Sequence, residues 1–197
     1  MGYEFGFYYI IKKLCMQKKL FGFDTRLIML FIPVAFISYL FHEFGHWIIG
    51  EILGNEMVYS LNWVWPKSGQ YICAEHGLYV SIGGPAFSIL QAMIALIIIE
   101  KFRTVYAYPF LFFPFFSRFF SLVFGGFSKQ DEAYISASLG IWPYAVAILV
   151  LALLILLVWR GSSKFKFGFR EYGFFFLFST IARLIVIGTY TILYHKL

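Results

Sequence analysis

Charge is scarce in this sequence. Only 13% of its 197 residues are Asp, Glu, Lys or Arg, where an average soluble domain carries about 25%, and 61% are hydrophobic. With a mean hydropathy of +0.78, the composition excludes an ordinary soluble globular protein. Cysteine is scarcer still: Cys15 and Cys73 are too few for a disulfide framework and fall on opposite sides of the predicted bilayer. Low-complexity tracts, internal repeats and a hydrophilic stretch long enough for a second domain are all missing. The first 26 residues also lack the pattern of a cleaved signal peptide. Lys12, Lys13, Lys18 and Lys19 interrupt them, and no small-residue cleavage site follows a short apolar core. They read as a basic, aromatic segment lying on the membrane surface.

Long apolar runs are what the chain does have. A bilayer crossing needs about 20 mostly apolar residues, and runs of that length cover about 27–53, 78–99, 105–124, 139–159 and 173–194. The predicted fold is an all-α integral membrane protein, a single domain over residues 1–197, built as a bundle of about five transmembrane helices. Between the first two spans, Met57, Tyr59, Leu61, Trp63 and Trp65 alternate with Val58, Ser60, Asn62 and Val64 ahead of Pro66-Lys67-Ser68-Gly69. Period two followed by a turn reads as a strand, and Gln70 to Ala74 can return antiparallel to it. Segment 57–75 therefore predicts either a small β-hairpin whose free edge can pair with an extended peptide, or an aromatic loop at the headgroup level.

The net charge of +6 follows topology. Lys12, Lys13, Lys18, Lys19 and Arg26 precede the first span, Lys101 and Arg103 separate the second and third, and Arg160, Lys164, Lys166 and Arg170 separate the fourth and fifth. All of these face one side, whereas Lys67, Lys129 and Lys196 face the other, so the positive-inside rule predicts a cytoplasmic N-terminus. Basic residues placed beside spans anchor helices; they do not form the patch that reads nucleic acid, which is excluded as a partner.

Residues 42 to 46 read His-Glu-Phe-Gly-His inside the first apolar run. Histidines four apart on a helix lie about 40° apart around its axis, so both imidazoles of His42 and His46 can reach one Zn2+ ion, with Glu43 beside it as a general base. Ionisable side chains in hydrocarbon are costly unless something binds or pairs with them. A catalytic zinc takes a third protein ligand, with water in the remaining position. His42 and His46 are late in the first span, and two more crossings return the chain to that side at Asp131, with Glu132 as an adjacent substitute and Glu75 and His76 in reserve. Ser128 and Asp131 also have the spacing of a capping box. Glu51 is about 180° from His42 around the helix, and the position six after His46 is Ile52, which excludes the extended three-histidine motif. Two arginines lie within spans. Arg118 is at a depth similar to His46, where it can pair with Asp131 or Glu43, stabilise a developing oxyanion, or snorkel to the headgroups. Arg183, near mid-span, needs a buried partner and reads as structural.

These features together resemble the site-2 protease family of intramembrane zinc metalloproteases. His-Glu-Phe-Gly-His is similar to that family's His-Glu-x-Gly-His, the hairpin to its membrane-associated β-structure, and Gly83-Gly84-Pro85 to the Gly-Pro that opens its second core span. The resemblance implies zinc ligation by His42 and His46 and catalysis by Glu43. Where the family has Asn, this chain has Ser88, which joins Arg118 as a candidate contact to substrate or oxyanion. Where the family has Leu-Asp-Gly, this chain has Gln130-Asp131-Glu132, and its basic residues turn the site away from the cytosol, opposite to studied members.

The expected function is zinc-dependent endopeptidase. The substrate is a polypeptide segment in or near the bilayer, locally extended because a helix keeps its carbonyls in its own hydrogen bonds; Glu43 takes a proton from the zinc-bound water that attacks it. The rival expectation is a proteolytically inactive relative that binds membrane segments or metal. A metal transporter would need a second ligand cluster along a path through the bilayer, and the cytoplasmic halves of the spans contain none.

Overall fold

The computed structural model describes residues 19–20, 23–124 and 127–194. Most of the expected N-terminal surface segment, residues 1–18 with Cys15, lies outside them, as does Lys196. Strands β1 (Lys19–Leu20) and β2 (Phe23–Asp24) pair antiparallel and lead into helix α1 (Thr25–Ile52). Asp24 starts that helix as its N-cap, its carboxylate accepting from the Leu27 amide at 2.9 Å and from the Tyr106 hydroxyl at 2.6 Å. Those two bonds hold the Asp24 carboxyl below its ordinary pKa. Strands β3 (Met57–Tyr59) and β4 (Val64–Pro66) follow, then α2 (Ala74–Phe102), a 3-10 turn (Val105–Ala107) and α3 (Tyr108–Val123). A second 3-10 turn (Phe127–Lys129) precedes α4 (Asp131–Ser138), α5 (Ala145–Ser163) and α6 (Phe169–Tyr194).

The fold is all-α with small hairpins. Helices α1, α2, α5 and α6 are long and apolar enough to cross a membrane. The run 105–124 forms the shorter α3, whose 16 residues rise about 24 Å. It sits inside the bundle: Tyr108, Leu111, Phe112, Phe113 and Phe116 are all fully buried. Phe31 of α1 and Phe174 and Phe175 of α6 complete this aromatic core, with the Phe175 ring tilted against Tyr108 at 4.5 Å and against Phe112 at 5.7 Å between centroids. The run 139–159 starts later than expected, at Ala145, because α4 ends at Ser138 and Gly140 turns the chain with φ +64°, a conformation that favours glycine.

The hairpin between α1 and α2 is present, but its turn is elsewhere. Met57 pairs with Pro66, Val58 with Trp65 and Tyr59 with Val64, so the reversal falls at residues 60–63 and not at 66–69. Ser60 closes it, its amide and hydroxyl both bonding the Trp63 carbonyl at 3.0 and 2.7 Å. Residues 70–73 do not return as a strand; the Asn55 side chain takes the Ile72 amide at 3.0 Å and steers the segment into α2. Alternation ran unbroken through the turn, so the sequence pattern alone placed both strands in one.

Helices α1 and α2 cross backbone to backbone at Gly45 and Gly83. A Cβ on either would fall on the carbonyl oxygen of the other, so the crossing depends on small residues, as helix packing in membranes commonly does. At the end of the bundle away from the hairpin, Arg160 bonds Glu100 at 2.8 Å, tying the α5 terminus to that of α2.

Candidate metal centre

His42 and His46 project from one face of α1 toward α2, where the glycine crossing brings the helices closest. The Nδ1 of His46 donates to the Val80 carbonyl at 2.7 Å. A carbonyl only accepts, so this nitrogen carries a proton, and in the neutral ring Nε2 is left with a lone pair. The Nδ1 of His42 is 3.0 Å from the Ser88 hydroxyl, which can donate to that nitrogen or accept from it and holds the ring in place. The two Nε2 atoms then face each other at 3.2 Å.

Asp131 arrives from the opposite side. Gln130 caps α4 in an extended conformation and places Asp131 in the first turn, where the helix dipole favours a carboxylate. Its Oδ2 lies 3.1 Å from His42 Nε2 and its Oδ1 3.4 Å from His46 Nε2. Burial works to raise the Asp131 pKa, but the two imidazoles against its oxygens outweigh that and hold it well below the usual carboxylate range. The site therefore keeps an anionic oxygen among two imidazole nitrogens, and ligand atoms of His42, His46 and Asp131 all lie within 4.8 Å of one another. This group could hold a metal ion. Gly84 provides the space beside it, since a Cβ there would overlap His46 Nε2 and His42 Cε1.

The other sequence candidates are distributed around this group. Glu43 is buried next to it, with His46, Asp131 and Arg118 as electrostatic neighbours. Ser88 serves His42. Arg118 does not snorkel: its Nη2 lies 2.9 Å from His42 Nδ1 and 3.1 Å from Nε2. Near-equal distances put the guanidinium across the ring face and not in line with either lone pair. Its other nitrogens go to Glu132, with Nη1 3.3 Å from Oε2 and Nε 3.2 Å from Oε1. Glu132 therefore pairs with Arg118 and is outside the ligand group. His76 bonds Asn55 at 3.1 Å, and neither it nor Glu75 joins the group. Glu51 accepts the Met57 amide at 2.9 Å and anchors the hairpin. Arg183 has no site carboxylate as partner; it bonds the Ser117 carbonyl and hydroxyl and the Ser121 hydroxyl at 2.9–3.1 Å, tying α6 to α3.

Comparison with known protein families, curated proteins and solved structures finds no match. The site must be read from its own geometry. One feature that sequence reasoning did not pick out is Tyr71, which packs against Trp65 at 5.5 Å and beside Gly77. Burial, with Tyr134 and Asp131 adding to it, pushes its phenol up to about 12, so it stays protonated near Asp131. The signal for it lay in the aromatic content of 57–75, where every ring looked equally interfacial.

Proposed function

We propose that this chain is an intramembrane zinc endopeptidase. The observation that carries this reading is the convergence of two imidazole nitrogens and one carboxylate: His42 Nε2 lies 3.2 Å from His46 Nε2 and 3.1 Å from Asp131 Oδ2, and His46 Nε2 lies 3.4 Å from Asp131 Oδ1. A tetrahedral zinc with bonds of about 2.05 Å has ligand edges of about 3.3 Å. Two imidazole nitrogens and a carboxylate at these separations share a cation, either a proton on a ring nitrogen or a metal ion. Charge supports the fit: the carboxyl groups of Glu43, Asp131 and Glu132 gather around one guanidinium, that of Arg118, and a cation among them offsets the excess of acidic groups.

Zinc held there supplies Lewis acidity, polarising a peptide carbonyl and acidifying water. The protein's part is division of labour. Val80 and Ser88 fix the imidazoles of the two ligands, and Glu43, too close in the helix to join them as a ligand, is left to accept a proton from water at its carboxylate and return it to the leaving amine nitrogen. Substrate reaches this site from the bilayer as an extended segment. His46 precedes the end of α1 by six residues, about 9 Å of helix rise. The N-terminus is assigned to the cytoplasm, and the site to the opposite face, because Arg26, Lys101, Arg103, Arg160, Lys164, Lys166 and Arg170 gather away from the hairpin.

Metal analysis of purified protein and cleavage of a panel of transmembrane segments test the reading together. Wild type should carry zinc and cut, whereas Glu43→Gln should keep zinc and lose at least about 100-fold in turnover. His42→Ala or His46→Ala should lose both. Full activity in Glu43→Gln would sink the protease reading, and a zinc-loaded wild type that cleaves nothing would leave a protein that binds membrane segments or metal.

A further inference from the structure

Ligation requires Asp131 to be free, yet its Oδ2 lies only 3.7 Å from Arg118 Nη2. A guanidinium buried in an apolar bundle needs an anion, and two carboxylates adjacent in the chain are within its reach. Successive residues on a helix point about 100° apart, so at the start of α4 Asp131 faces the histidines while Glu132 faces α3 and Arg118. Glu132 is 0% exposed, beyond the reach of solvent, and it meets Arg118 along the Nε–Nη1 edge at 3.2 and 3.3 Å. That leaves only Nη2 over the His42 ring.

We propose that Glu132 is a positioning residue that holds Arg118 away from Asp131 and so keeps the Asp131 carboxylate available to the metal. This rests on the reading of His42, His46 and Asp131 as a metal site. Remove the Glu132 charge, and the nearest counter-ion for Arg118 is the third ligand itself. Glutamine in place of Glu132 keeps the volume and an accepting oxygen but cancels the charge, so Arg118 swings to Asp131 and competes with the ion. Removing both charges takes the competitor away with its restraint.

The test is Zn2+ affinity of the full chain in detergent, measured by competition with a chromophoric chelator. Glu132→Gln should weaken binding at least about tenfold. The double variant Arg118→Gln/Glu132→Gln should return to within about threefold of wild type, a rescue by a second substitution that a merely structural role would not produce. Wild-type affinity in Glu132→Gln overturns the proposal, and so does a double variant as weak as the single. If Glu132→Gln does not fold, the folded double variant decides: zinc retained supports the proposal, zinc lost overturns it. Failure of the underlying metal reading is distinct, because there the wild type itself would bind no zinc.

Discussion

Asp131 is one of only two aspartates in the chain, and its position depends on a single rotation. One residue further along α4 the carboxylate belongs to Glu132 and faces Arg118 instead. Asp131→Ala should therefore weaken Zn2+ binding at least about tenfold, as loss of a ligand does, while Glu75→Ala should leave it unchanged; chelator competition measures both. Equal affinities in wild type and Asp131→Ala would remove Asp131 from the site. At this scale the sequence was most legible where chemistry depends on local spacing. His42, Glu43 and His46 lie within five residues of one helix, whose pitch alone sets their relation. Ser88 and Val80 were harder to read, because a hydroxyl on an apolar helix and a backbone carbonyl gain a role only from what α1 presents to them.

Elements meet here through glycine. Gly45 and Gly83 let the α1 and α2 backbones touch, and Gly84 leaves the space in which the imidazoles converge. Gly84→Ala should accordingly keep the helices folded, with circular dichroism unchanged, yet lower Zn2+ affinity at least about tenfold because its methyl overlaps both rings. Gly45→Ala, which drives a methyl into a backbone that cannot yield, should cost about 1–3 kcal/mol of stability in denaturant unfolding. The opposite pattern, a stable Gly45→Ala and an intact metal site in Gly84→Ala, would mean that the helices cross elsewhere. Sequence reading saw Gly83-Gly84-Pro85 as a likeness to a family motif. Its physical role, close approach at one point and vacancy at the next, appears only when α1 is laid against it. The hairpin shows the reverse case: alternation announced β-structure but put both strands in one and the return at 70–74, because the turn at 60–63 depended on which hydroxyl found which carbonyl.

The whole molecule is asymmetric in charge. Cysteines placed singly at Lys67 and Lys129, on the hairpin side and the α3–α4 connection, should react with an impermeant thiol reagent from outside the cell or from the lumen, and cysteines at Lys101 or Lys164 should not. Labelling in the reverse pattern would turn the site toward the cytosol. By itself the sequence determined the class of the protein, the approximate spans, the basic end of the bundle and the two histidines with their glutamate, because hydropathy, charge bias and helical pitch act over short distances and are written locally. Only the tertiary structure decided that α3 is an inner helix, that Asp131 and not Glu132 faces the histidines, and that Arg118 is held between them. Those outcomes depend on contacts among α1, α2, α3 and α4 across gaps of 14 to 89 residues, and no local pattern encodes which of two adjacent carboxylates a distant guanidinium will take.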